Sequence, residues 1–581
     1  MKNRDGEERP ARITDFGPLY YDTHNLAAAE DTKTTYLHPG GDSNLNLEGE
    51  GFKIGVFDAG HILDTHVEFQ NGNDRIVIGY DVDFERNYNW HGTHVGGTIG
   101  ASGARVEAKG MAPKCIILSY DWSYVNQEIL SANFASAYLS NHSYGLRGWT
   151  NNGNVINAAY LGTYDNWASN TDQVHFLRPN YLGVYSAGND GANINPEPIY
   201  TGYDKLTDNS TAKNNLVVAN ARDIWRYSNY ELIQINSGSS QGPTNDLRIK
   251  PDIAGNGTSL LSTSSGSDTA YATASGTSMA SPNVAGSLIL LQEYYFQTTG
   301  EMPLSSTIKA LVFNGAQDAG DLGPDPVFGW GYLDMKKSSK IISENVSNKT
   351  IVEASISNGE EIQYNLEIDE DIENVSVTIC WTDPAANSLE NADDKNSSVL
   401  VNDIDMRIIE ISDGEITHLP YTLSLENVSV NGVWAVKADN AKDNVERIDF
   451  MATQGAVYKI VINHKNSIEN PAAEIPELKF QNFSVVVSEG SRINTILNND
   501  NILDYNENAF HYYTNRTSLN LTNHNNYNIN KLEIYDLTGK LLYTKSNIGN
   551  INKYEVSDIP QFGILSIDYN NKKYIRKFVK R

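Results

Sequence analysis

Four short apolar runs, KIGVFD at Lys53–Asp58, CIILSYD at Cys115–Asp121, LGVYSA at Leu182–Ala187 and NLVVAN at Asn215–Asn220, recur between stretches of helical period. A run too short for a helix and apolar through its middle reads as a strand buried on both faces. Such strands, alternating with amphipathic helices, build a parallel sheet covered on both sides. The alternation holds from Lys53 to about Met335 and predicts an α/β domain over residues 36–335, behind an N-terminal extension at 1–35. In open α/β sheets reactive groups gather beyond the carboxyl ends of the strands, so the ends of these runs are where chemistry is sought first.

After GWGYLDM the texture changes. Residues 336–488 read as strands with turn signals and almost no helical period, as in EIQYNLEI, ENVSVTICWTD, AVYKIVINH and FSVVVSEG, and predict an all-β sandwich. An Asn-rich stretch at 489–517 is expected to be a linker. Residues 518–581 are expected to form a small C-terminal β domain, with LEIYDLTGKLLYTK as a hairpin around Thr538-Gly539 and GILSIDYNNKKYIRKFVKR as a terminal strand pair. A chain of 581 residues has room for this many domains.

The formal net charge of −28 repels a phosphate backbone or an anionic membrane, which excludes nucleic acid as an expected partner. No stretch is long and apolar enough to span a bilayer. The two cysteines, Cys115 and Cys380, lie far apart in strand-like runs and read as buried free thiols, without a disulfide framework. The opening MKNRDGEERPARITDFG has no apolar h-region, so no signal peptide is visible.

Four segments carry side chains suited to nucleophilic catalysis, and each has a plainer reading alone. Asp58 ends an apolar strand, where an Asp is commonly a turn or cap residue. In NWHGTHVGGTIGA, His91 opens a helix of small residues that lets another backbone pass close by, and a buried imidazole there can act as a general base. A metal site on His91 and His94 is the competing reading; it lacks the Glu of HExxH, and His94 reads better as a packed core histidine. In YATASGTSMASPNVAGSLILL, Ser278 begins a long helix whose free N–H groups favour negative charge, although an isolated Ser there would merely cap. In LGVYSAGNDG, Asn189 can offer its amide N–H to an oxyanion or can form an ordinary tight turn.

Together these segments resemble the subtilisin-like serine proteases. HGTHVGGT around His91 and GTSMASP around Ser278 are nearly complete family motifs, SAGNDG matches the block with the oxyanion Asn, and SSQGPTNDLRIKPDI matches a further stretch of bacterial members. The order Asp, His, Ser is part of that resemblance. It covers about residues 36–335 and implies a serine endopeptidase acting on proteins or peptides, with Asp58, His91 and Ser278 as its triad and Asn189 at the oxyanion. It further implies that Ser143, Tyr144 and Gly145 pair with the substrate backbone, that Ser186, Ala187 and Gly188 wall the pocket before the cleavage point, and that catalysis needs no cofactor. Ala59 departs from the Ser or Thr usual after the catalytic Asp, so a neighbour must supply that hydrogen bond.

WTDPAANS, LVNDIDMRI and DNVERIDF resemble the sandwich that follows the catalytic domain in one group of bacterial subtilases. Asp383, Asp403 and Asp405 there could hold structural calcium or accept turn N–H groups, and the latter is favoured. KLEIYDLTGKLL and KKYIRKFVKR are similar to the sorting domain of proteins exported by the type IX system, which implies a secreted or cell-surface protein and the outer-membrane export machinery as a partner. The stretch before Asp58 is too short for both a signal and a chaperone-like propeptide, so the start is expected to be internal to a longer precursor. The rival reading is a catalytically inactive subtilase-fold protein that serves binding or adhesion.

Overall fold

The computed structural model describes residues 12–14, 17–19, 25–70, 75–79, 87–150, 152–196, 198–222, 233–370, 372–412, 414–425, 432–453, 455–471, 479–495, 510–514, 518–523, 527–536, 540–560, 562–569 and 572–579. They divide into two compact units, one of residues 1–356, 360–466 and 482–494, the other of residues 357–359, 467–481 and 495–581.

In the first unit a small hairpin, β1 (Arg12–Thr14) with β2 (Gly17–Leu19), and helix α1 (Asn25–Asp31) precede a parallel sheet of seven strands. Its strands are β3 (Lys53–Asp58), β4 (Ile76–Ile78), β5 (Ile116–Asp121), β6 (Leu139–His142), β7 (Leu182–Ser186), β8 (Leu216–Ala221) and β9 (Ile253–Asn256). They lie in the order β4-β5-β3-β6-β7-β8-β9, so the winding reverses beside β3 and opens a crevice past the ends of β3 and β6. The α/β expectation holds here, and its cause is visible in alternate residues: Ile54 and Val56 enter the core on one face while Phe57 packs with Leu118, Phe134 and Tyr181 on the other.

The first face carries α2 (Trp90–Gly100) and α5 (Thr277–Thr299); the second carries α3 (Val125–Ile129) and α4 (Asn166–Leu177). A β-hairpin of β10 (Leu260–Thr263) and β11 (Tyr271–Ala274) follows the sheet. Helices α6 (Ser305–Gly315) and α7 (Met335–Asn348) close the layer. Helix α7 lies inside the region expected to be all-β. Its sequence, MKKSSKIISENVSN, buries only Met335, Ser338, Ser339, Ile341 and Ile342, a stripe too thin in apolar residues to stand out as helical. The N-terminal stretch is likewise more than an extension, since Ala28 and Ala29 join the core and Asp31 accepts a hydrogen bond from Asn256 (2.7 Å).

The C-terminal region is mostly antiparallel strands in several sheets. A four-stranded sheet of the first unit has Asn374–Trp381 paired antiparallel with both Phe480–Val487 and Val445–Met451, with Ile351–Ser357 at its edge. A five-stranded sheet is built around Ile404–Ile411, Val457–His464 and Ile362–Ile368. Its edge strand, Ser491–Thr495, falls in the stretch expected to be linker: Ser491 and Ile493 point inward while Arg492 pairs with Glu367 and Asp369, an alternation masked by the Asn-rich sequence after it. The second unit contains a three-stranded and a four-stranded antiparallel sheet around Leu519, Leu532, Ile534, Leu565 and Ile567. The expected hairpin strands pair, Tyr535 opposite Leu541; its turn at Thr538-Gly539 lies outside the described residues. The terminal pair, Phe562–Tyr569 with Lys572–Val579, is present. Cys115 and Cys380 are buried free thiols, and burial pushes the Cys115 thiol up to about 12.

Candidate active site

Asp58 is the last residue of β3 and is almost wholly buried beside the winding reversal. Its Oδ1 accepts the backbone N–H of Ala59 (2.8 Å), so the backbone supplies the support that a Ser or Thr hydroxyl would otherwise give. His91, on the first turn of α2, places Nδ1 2.8 Å from Oδ1 and 3.0 Å from Oδ2 of Asp58. Two features set that approach. Asn89 caps the helix through the His91 N–H (2.8 Å), and Gly92 lets the helix lie on β3. A Cβ at Gly92 would stand 2.6 Å from the Gly60 carbonyl oxygen and 3.3 Å from the Asp58 Cβ. Burial alone would lower the His91 pKa, but the hydrogen bond and charge of Asp58 outweigh it and hold the imidazole above its ordinary value.

His94, one turn on, is fully buried with Nε2 3.1 Å from both the Leu260 and Ala272 carbonyls. That nitrogen is a donor tying α2 to the β10–β11 hairpin, as expected of a core histidine. Burial depresses its pKa to about 4, with the His91 charge adding to the effect against the two carbonyls.

Ser278 stands on the first turn of α5. Its hydroxyl donates to the Ser143 carbonyl (3.0 Å) and not to His91. In return the Ser143 hydroxyl donates to the Ser278 carbonyl (2.9 Å). Pro282 explains that second bond: it lacks the N–H that would close the helical turn onto Ser278, and Ser143 supplies the missing donor. Asn141 donates to the Ser143 hydroxyl (2.9 Å) and accepts from Ser281 (2.8 Å), extending the clamp beneath the helix. Asn141 and Ser281 were not among the expected site residues; the available signal was Pro282, four residues beyond Ser278, which leaves a helical carbonyl in need of a donor.

Asn189 is exposed, yet its amide is oriented, because Oδ1 accepts the Thr277 N–H (2.9 Å) and faces the Thr277 hydroxyl (3.2 Å). With the oxygen so engaged, Nδ2 is the branch left to donate. The Thr277 hydroxyl also receives the Gly188 N–H (3.2 Å), which joins the end of β7 to the start of α5. The register between β6 and β7 runs from Leu139↔Leu182 to His142↔Tyr185. Ser143–Gly145, just past the end of β6, and Ser186–Gly188, the last residue of β7 and the two after it, are therefore matched in register. Strand β6 itself is flanked by β3 and β7, so only the stretch past its end has backbone groups outside the sheet ladder.

A family model described as the subtilase family matches residues 31–331, just over half of the chain. The chain belongs to the subtilase family. Among curated proteins, this subtilase is 30% identical to an alkaline proteinase of Hapsidospora chrysogena over 46% of the chain and 58% of that protein. It is 28% identical to subtilisin BL of Lederbergia lenta over 43% of the chain and 79% of that protein. It is 23% identical to the serine protease/ABC transporter B family protein tagA of Dictyostelium discoideum over 64% of the chain, spanning only 27% of that protein. Among solved structures, the protease domain of PatA, in a mutant form, aligns at 20% identity and a TM-score of 0.39 over 52% of this chain and 98% of that one.

The candidate calcium residues of the subtilase do not fit a calcium ion. Asp383 accepts from Lys213 Nζ (2.5 Å) and from the N–H groups of Val401 and Asn402, while Lys465 reaches both Asp403 (3.3 Å) and Asp405 (3.0 Å). Ammonium groups already stand where the cation would. No helix among the described residues is long and apolar enough to cross a membrane.

Proposed function

We propose that this subtilase is a serine endopeptidase that hydrolyses peptide bonds in proteins through an acyl-enzyme, with Asp58, His91 and Ser278 as its triad. The observation that carries the reading is the two-oxygen contact of the buried Asp58 carboxylate with His91 Nδ1. A carboxylate can only accept, so Nδ1 keeps the proton and Nε2 presents its lone pair as the base. In the first step Ser278 Oγ turns away from the Ser143 carbonyl, passes its proton to Nε2 and attacks the scissile carbonyl carbon. The carbonyl oxygen takes up negative charge against Asn189 Nδ2 and the Ser278 N–H at the positive end of α5. Collapse of the intermediate expels the amine, which takes its proton from His91; water then repeats the sequence to release the acid.

In this reading Ser143, Tyr144 and Gly145 pair with the substrate backbone, and Ser186, Ala187 and Gly188 wall the pocket for the residue before the cleavage point. The sandwich after the catalytic domain and export to the cell surface by a type IX route belong to the same proposal. The last rests on the resemblance of the terminal strands to a sorting domain. A fluorophosphonate probe tests the central reaction: the folded wild type should be labelled at Ser278, and Ser278→Ala should not. A folded wild type that takes no label and cleaves no protein would instead be an inactive binding protein.

A further inference from the structure

Asp208 lies at the start of a short 3-10 turn, Asp208–Thr211, between β7 and β8. Its side chain is 6% exposed, and its Oδ1 has no hydrogen-bond partner. Its place in the crevice follows from the bonds around it. The Thr207 hydroxyl donates to the Leu146 carbonyl (2.9 Å), and the Leu146 N–H donates to the Asp208 carboxylate. On the other side the Ser210 hydroxyl donates to the Ser186 carbonyl (3.1 Å). Residues 207–210 thus tie Leu146, the residue after Ser143–Gly145, to Ser186, and bound the space between the two segments at one end. The other end is framed by Ser278, on the Ser143 carbonyl, and by Asn189, which follows Gly188.

We propose that Asp208 forms the floor of the pocket for the residue whose carbonyl is attacked and selects lysine or arginine there. The proposal rests on the serine-peptidase reading and adds the substrate class to it. The pocket needs a cation because the protein provides none at this carboxylate. Asp208 receives the N–H groups of Leu146 and Asn209, its charged neighbour Asp165 is itself an acid, and the phenols of Tyr144, Tyr160 and Tyr185 lie within its field. Asp190, on the same side of the site, shows the contrast: Arg147 and Lys205 balance its charge and Asn193 donates to its Oδ1 (2.8 Å). Burial, reinforced by Asp165, pushes the Asp208 carboxyl up to about 7. A substrate ammonium or guanidinium brought to Oδ1 would supply both the missing donor and the missing charge.

The test is a set of peptides identical except for Arg, Lys, Gln, Leu or Phe before the cleaved bond, with active enzyme counted by fluorophosphonate titration. The wild type should show kcat/KM for Arg and Lys about tenfold or more above Gln and Leu. In Asp208→Asn that ratio should fall at least about tenfold per titrated site. Benzamidine should inhibit the wild type competitively where neutral benzamide does not, a readout that needs no variant. A wild type that labels at Ser278 yet cleaves after Leu or Phe as fast as after Arg, or ignores benzamidine, overturns the Asp208 assignment alone. A folded wild type that neither labels nor cleaves overturns the peptidase reading and this inference with it.

Discussion

Which nitrogen of His91 keeps its proton is decided by Asp58, and the decision should be readable in a pH profile. In the proposed mechanism the imidazole must be neutral to accept the Ser278 proton, and Asp58 holds its pKa above the ordinary value. The kcat/KM of the wild type should therefore climb as pH rises through that raised value. In Asp58→Asn the acid limb should move to lower pH and the rate should fall by roughly 10⁴, because the amide can donate to Nδ1 and stabilise the wrong tautomer. An unmoved limb would mean that Asp58 does not set the His91 titration. A second carboxylate, remote from the reaction, invites a stability measurement. A Cβ on Gly162 would stand 2.5 Å from Asp204 Oδ1 and 2.3 Å from Asn245 Oδ1, and both buried oxygens lack a donor. Burial pushes Asp204 up to about 7 against an unfolded value near 4, so its penalty is absent below about pH 4, grows as pH rises from there towards 7 and is fully present above 7. Asp204→Asn sets an N–H₂ opposite Asn245 and should stabilise the fold by about 1–3 kcal/mol at pH 8. That gain should shrink at pH 5, as denaturant melts at the two pH values will show.

Helix α2 lies on β3 only because residue 92 has no side chain, so the spacing between two elements becomes a kinetic quantity. Gly92→Ala would press a methyl against the Gly60 carbonyl and the Asp58 Cβ and push His91 off its carboxylate. A displacement of about 1 Å is expected to lower kcat/KM by roughly 10², with circular dichroism unchanged. Full activity in that variant would mean that the helix can settle elsewhere without moving His91. Elements that combine strong periodicity with a motif are those the sequence discloses: KIGVFD, HGTHVGGT and GTSMASP each carry their strand or helix and their reactive residue in one stretch. What stays hidden depends on partners remote in sequence. Asp208 carries no motif in KLTDNST, and only the bonds from residues 207–210 to Leu146 and Ser186 bring it beside the ends of β6 and β7. Helix α7 is hidden for a different reason: its few apolar positions bury well only because α5 and α6 lie beside it.

Across the first unit, the parallel sheet and the antiparallel strands after it share one continuous core, which contains Cys380, Val445 and Val486 alongside Leu288 and Phe313. The junction is polar as well as apolar. Lys213, next to β8, is fully buried and donates to Asp383 (2.5 Å), to the Pro384 carbonyl (2.7 Å) and to the Val399 carbonyl (2.8 Å). Asn214 and Asp383 exchange two further bonds, and Asp443 accepts the Ile249 N–H (2.8 Å). Such a pair adds little net stability over apolar packing, but removing one partner strands the other as a buried charge. Lys213→Met should therefore destabilise the first unit by about 3–5 kcal/mol. Because the junction belongs to one packed core, β8 and the strand Asn374–Trp381 should lose protection together in native-state hydrogen exchange, in the wild type and more steeply in the variant. Antiparallel strands that exchange at a lower free energy than β8, with β8 unaffected by the substitution, would show that two independent folding units merely touch at Lys213.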